Sequence, residues 1–299
     1  MRMRTKIALA IAGWIALGLV LYAAFGSAGR NSQFQPQNEF KLEPWIPIRL
    51  GPVDMSITKA VLYLLLTTAL TVITMIWIAN RMAARPNRVQ TAIEAVYSLM
   101  RDNITQGNMQ REMAARWFTF VAALFMFIWF ANLIGYLPLP VNTEETVRVF
   151  GLELPTFAIY AATANLSIPL MLTLIVWFSY HVEGIRAKGF LTYFREFVPS
   201  GTPKAMKPVL FVIELISHFV RIISLSVRLF ANLLAGHLLI LFMGGGMVVL
   251  LGLAAIGVFT LPVAIAFYVF EVVLIATLQA FIFATLTAIY LGSATEAGH

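Results

Sequence analysis

The chain contains no cysteine, so it has no disulfide framework, thiol nucleophile, CxxC redox pair or thiolate metal site. Aspartate is nearly as scarce. Asp54 and Asp102 are the only two, too few for the clustered carboxylates that hold magnesium in membrane phosphotransferases. Four histidines without an HExxH leave a zinc protease unsupported, and no GxxxxGK[ST] offers a nucleotide its phosphate cradle. Charge of either sign is short: 12% of the residues are Asp, Glu, Lys or Arg, against roughly 25% in a soluble domain. No basic face interleaved with aromatics stands on a water-facing segment, which argues against a nucleic-acid partner.

What the 299 residues do have is apolar sequence, 60% of the total, in runs of twenty or more. Such runs are the length of a membrane crossing. Candidate segments are Ile7–Phe25, Val53–Ala79, Trp117–Leu139, Thr156–Tyr180, Val209–Leu251 and Leu253–Leu291. The expected fold class is therefore all-α, a polytopic membrane protein. Of 21 Lys and Arg, 14 fall in Met1–Lys6, Asn80–Arg116 and His181–Pro208, loops on alternate sides, and that side is the expected cytoplasmic one. The net charge of +7 is then mostly a matter of orientation.

Residues 1–28 read either as a retained extra span or as a secretory signal, since Arg2, Arg4 and Lys6 precede the run and small residues follow it. The length of Ile7–Phe25 favours the span. Residues 29–52, with Pro36, Pro44 and Pro47, read as an extracytoplasmic linker, and residues 53–299 as the main membrane domain. Between the second and third spans, Val89, Ile93, Val96, Tyr97, Met100 and Ile104 share one helical face, which predicts an amphipathic helix lying in the cytoplasmic interface or packed on a partner.

The last two segments are too long to stand upright. The 43 residues of Val209–Leu251 would reach about 64 Å as a helix, roughly twice the ~30 Å hydrocarbon layer. Strong tilt is the expectation, with Gly236 the one interior candidate for a break and a turn near Gly244–Gly252. Ionisable residues inside this pair carry the functional signal, because a charge at bilayer depth costs several kcal/mol unless it faces protein or water. Ser217, Arg221, Ser224 and Arg228 share one face of the first helix, with Glu214 and Asn232 at its edges. His237 falls on the far side, and Glu271 lies on the second helix. Arg221 can snorkel and His218 can be a hydrogen-bonded packing residue. Arg228, 19 residues beyond Val209, is too deep for that and needs an anion, which another subunit can supply.

The run Ser224-Leu225-Ser226-Val227-Arg228-Leu229-Phe230-Ala231-Asn232-Leu233-Leu234-Ala235-Gly236-His237 resembles the signature of the F-type ATP synthase subunit a family. Leu278-Gln279-Ala280-Phe281-Ile282-Phe283, Gln90-Thr91-Ala92-Ile93-Glu94 and Asn132-Leu133-Ile134-Gly135-Tyr136-Leu137-Pro138 add to the likeness, which covers roughly Val53 to Leu291. The resemblance implies a stator subunit, not an enzyme on its own, that binds no nucleotide and no cofactor or metal. It implies two offset proton half-channels against a rotating c-subunit ring, peripheral-stalk b subunits as further partners, and a bacterial inner membrane. Arg228 matches the family's arginine. Asn232, His237, Glu271 and Gln279 would line the outer half-channel, and Glu214, Ser217 and Arg221 the cytoplasmic one. Glu271 stands eight residues before Gln279 where the family has seven, and Asn165 stands near the place where many members carry an Asp.

The chemistry asks for these residue types. A rotor carboxylate has to be neutral toward lipid and ionised toward the stator. A guanidinium supplies the partner and, losing its proton only above pH ~12, relays none between the half-channels. Histidine titrates near ~6.5 and suits the relay. Two other classes compete: a secondary transporter or channel with Arg228 at an anion site, and a structural anchor whose charges only pair with neighbours. Inverted repeats would favour the first of these, and none is evident.

Overall fold

The computed structural model describes residues 3–25, 40–42, 44–51, 53–81, 87–140, 146–149, 152–155, 157–198, 201–246 and 254–295. Helices dominate, as the apolar runs require, because a backbone in hydrocarbon must satisfy its own hydrogen bonds. They are α1 (Met3–Phe25), α2 (Lys59–Arg81), α3 (Arg88–Ser98), α4 (Arg111–Gly135), α5 (Ser167–Lys188), α6 (Phe190–Arg195), α7 (Lys207–Leu241), α8 (Ala254–Phe270) and α9 (Ala276–Thr295). Five stretches are long and apolar enough to cross a membrane: Lys59–Asn80, Arg111–Gly135, Ser167–Lys188, Lys207–Gly246 and Ile256–Thr295. Extended structure among the described residues is limited to short ladders in connections, such as Thr146–Val149 with Leu152–Pro155.

Several expected boundaries move. The second span begins at Lys59, because Val53–Asp54 instead pairs with Arg49–Leu50 around Gly51, whose φ of +61° suits a residue without Cβ. The fourth begins at Ser167: Phe157–Ala158 pairs with Leu139–Pro140, and Ala162–Ala164 forms a single 3₁₀ turn. Pro169 in the first turn of α5 costs no hydrogen bond there, and Gly189 at φ +83° closes the other end. The third ends at Gly135, short of Leu139.

The amphipathic segment opens at Asn87, whose side chain accepts from the Gln90 amide, while Gln90 Nε2 donates to Glu94 at 2.7 Å. Beyond Ser98 the α-periodicity gives way to π-helix over Leu99–Gln106. The Thr105 hydroxyl donates back five residues to the Met100 carbonyl at 2.7 Å, which fits the wider turn. Met100 and Ile104 are buried, as their helical face predicts.

The seventh helix runs unbroken through Gly236 and continues as π-helix to Gly246, 40 residues in all. Two upright spans are ruled out. At ~1.5 Å per residue this length far exceeds a ~30 Å core, so the helix lies oblique. The turn expected near Gly244–Gly252 falls for the most part on residues 247–253, which lie outside the described residues.

The chain forms two compact units, each with its own packing. In the first (Met1–Lys59, Tyr136–Tyr160, Leu234–Ile275), α1 packs along α8 and the Trp14 indole donates to the Val258 carbonyl at 2.8 Å. In the second (Ala60–Gly135, Ala161–Leu233, Ala276–His299), α9 packs on α4 and α5 along a helix that buries Ala276, Ala280, Ala284 and Ala288. Small residues one turn apart let these helix axes approach closely, the packing that substitutes for a hydrophobic driving force in lipid.

Candidate functional site

The seventh helix sorts its residues onto two faces. Leu225, Ser226, Leu229, Leu233, Gly236 and His237 are buried, while Ser224, Val227, Arg228, Ala231, Asn232 and Ala235 are exposed. Both stripes repeat at three and four residues, as one side of an α-helix must. The exposed stripe continues as Phe219, Val220 and Ile223, the last 62% exposed, so Arg228 stands on an otherwise largely apolar face. Among the described residues no ion pair involves it. The side chains beside it are small or short, so a second helix can come close.

His237 and Glu271 do come together. His237 is fully buried and Glu271 is 8% exposed. The Tyr136 ring stacks on His237 at 4.4 Å between centroids, and its hydroxyl donates to Glu271 Oε2 at 3.0 Å. The Tyr268 hydroxyl donates to the Tyr136 carbonyl at 2.9 Å and fixes that backbone. Gly236 makes the approach possible: a Cβ there would lie 2.5 Å from Glu271 Cδ. Glu271 also opens a π-helical stretch, Glu271–Ile275. A π-turn absorbs one residue, so the eight-residue step to Gln279 carries the turn count of seven.

A separate polar cluster holds Asn132. The Thr163 hydroxyl donates to its Oδ1 at 2.9 Å, and its Nδ2 donates to the Ala276 carbonyl at 3.3 Å. Gln279 is buried on α9, and the Trp129 indole donates to Thr277 at 3.1 Å on the same helix. Gly135 lets the chain fold back here, because a Cβ would lie 2.5 Å from that of Ala161. Asn165 Oδ1 accepts from the Ser167 amide at 3.1 Å, just ahead of α5. Thr163 is the buried polar group of that motif. Tyr136 was visible only as a member of a motif, because its partners lie far off in sequence.

Near the start of α7 lies a polar cavity of about 270 Å³ lined by Glu214, His218 and Arg221 with Tyr180, Tyr193 and Tyr290. Glu214 Oε1 is 3.7 Å from both Arg221 Nη2 and His218 Nε2, and the guanidinium rests over the Tyr290 ring at 4.9 Å. Burial pushes the Tyr193 hydroxyl up to about 12 against the pull of Arg221, so it stays a neutral partner for His181 Nδ1 at 2.7 Å. Ser217 is not part of the lining. Its hydroxyl turns back to the Ile213 carbonyl at 3.0 Å. At the same end, Arg116 pairs with the buried Glu183 at 2.5 Å and Lys188 with Glu196 at 2.6 Å.

The family profile described as ATP synthase A chain matches residues 61–292. The chain belongs to the ATP synthase A chain family. Relatives named ATP synthase subunit a include those of Parvibaculum lavamentivorans, 32% identical over 91% of this chain and 97% of the relative, and of Agrobacterium fabrum, 34% over 88% and 98%. That of Bradyrhizobium diazoefficiens is 35% identical over 89% of this chain and its whole length. Members of the ATP synthase A chain family serve ATP synthesis and proton transport as non-catalytic subunits of the membrane sector. Five helices of crossing length make this chain a multi-pass integral membrane protein.

Proposed function

We propose that the chain is the stator against which a c-subunit ring turns, with Arg228 pairing each ring carboxylate as it arrives and sealing the two half-channels from each other. The observation that carries this is the guanidinium exposed on an apolar, small-residue face without an ion pair among the described residues. In hydrocarbon such a charge costs several kcal/mol, so the face needs a cover that brings an anion at bilayer depth. A ring carboxylate is that anion. The transporter alternative lacks support of this kind: α7 passes unbroken through Arg228, so no half-helix terminus points at a central substrate.

On this reading His237, Glu271 and Tyr136 belong to the outer path, reached from the extracytoplasmic side, and Asn232 and Gln279 serve the same half-channel. Glu214 and Arg221 line the cytoplasmic path. Peripheral-stalk b subunits and a bacterial inner membrane complete the assembly. The contact of Trp14 with Val258 supports a retained first helix. Substituting Arg228→Ala in the assembled complex tests the whole. Proton-driven ATP synthesis in inverted vesicles should fall to background with subunit composition unchanged, and synthesis at the normal rate would refute the role.

A further inference from the structure

Resting on the cytoplasmic reading of the 270 Å³ cavity, we propose that His218 carries protons there, exchanging them with Glu214 through Nε2. By sequence alone His218 can be a packing residue, and a packing histidine has both ring nitrogens satisfied within the fold. Here only one is. Nδ1 lies 2.9 Å from the Tyr180 hydroxyl, whereas Nε2 faces Glu214 Oε1 at 3.7 Å, a small side-chain shift or one water away from a hydrogen bond. The ring is 6% exposed and held in place. Phe197 stacks on it at 4.7 Å, and the Trp177 indole donates to the His218 carbonyl at 3.2 Å. The orientation of Nε2 is thus fixed by packing while the atom itself is left to the cavity.

A second imidazole lies beside the first. His181 lies 4.8 Å from His218 between centroids, and its buried Nε2 has no hydrogen-bond partner among the described residues. A buried ring nitrogen without a protein partner is a place for bound water. At about 270 Å³ the cavity has room for several such molecules.

The proton balance is simple. With hydrogen on Nδ1, donated to the Tyr180 oxygen, Nε2 is a base. The Glu214 carboxyl releases its proton to Nε2, giving carboxylate and imidazolium without change in total charge. The proton then leaves the same nitrogen for cavity water, and the imidazole is restored. Arg221, 3.7 Å from Glu214, stabilises the carboxylate and repels the imidazolium, so the proton passes on and does not stay. Tyr180, Tyr193 and Tyr290 also line this cavity, as do Lys188 and Glu196, which pair with each other at 2.6 Å, and His181 stands beside His218.

His218→Asn keeps an amide N–H placed to serve Tyr180 but has no titratable nitrogen. In inverted vesicles stripped of the soluble sector, passive proton conduction should fall roughly ten-fold, less than the ~10²–10⁴ of a positioned proton-transfer group because cavity water keeps a parallel route. Its dependence on cytoplasmic-side pH should flatten. Wild-type conduction with an unchanged pH profile would overturn the proposal. Should the Asn variant fail to assemble, Glu214→Gln is read in the same way, with the same loss expected and wild-type behaviour equally fatal. Arg228→Ala separates the two levels: if it retains coupled synthesis, the stator reading falls; if only the His218 variant is silent, this inference alone falls, while a silent Glu214→Gln also removes Glu214 from the cytoplasmic path.

Discussion

A guanidinium and an ammonium carry the same charge and would pair a ring carboxylate equally well at first contact. They differ in what desolvation does to them, since the ammonium gives up its proton when buried and the guanidinium does not. Arg228→Lys should therefore lose synthesis and also leak: passive proton conduction should rise above wild type in stripped vesicles. Conduction at or below the wild-type level would show that the seal does not depend on a permanently charged group. Arg228 was legible in the sequence because a charge stranded in an apolar run shows in one dimension. Tyr136 was not, because what it does depends on His237 and Glu271, more than a hundred residues away. Ser217 shows the converse: a position on the right face whose hydroxyl is taken by its own helix.

At the scale of elements, spans follow from the length of apolar runs, and the amphipathic face of α3 follows from its period. Ends do not. The shifts at Lys59 and Ser167 come from short ladders that compete locally for apolar residues with the helix. The π-helical stretches are harder still, since moving a hydrogen bond by one residue leaves no compositional mark, and the eight-residue step from Glu271 to Gln279 was the only hint. Gly236 belongs to this scale. The carboxyl of Glu271 occupies the space of a missing Cβ, so Gly236→Val forces the two helices apart or turns Glu271 away from Tyr136. Overpacking of this kind costs about 1–3 kcal/mol. Proton conduction should drop at least about ten-fold with the complex still assembled, and an unaffected rate would mean that the Glu271 position is not on the path.

For the whole molecule, the decisive feature is a surface. Exposed apolar residues along α7 meet lipid without cost, but the guanidinium among them does not, and on the proposed reading a neighbouring subunit covers that stripe. Composition announced a membrane protein and the signature announced its family. Neither said which side of a 35-residue helix is left open, because that depends on how the remaining helices pack. Since the chain has no native cysteine, any cysteine introduced into it is unique. The most direct measurement is disulfide trapping in the native membrane between this chain and a ring subunit carrying one cysteine beside its carboxylate. Ala231→Cys, on the open stripe, should trap the ring in high yield, while Leu229→Cys, two residues away but buried, should not. Trapping that fails at Ala231, or proceeds equally well from Leu229, would contradict the claim that Arg228 finds its anion on the rotor.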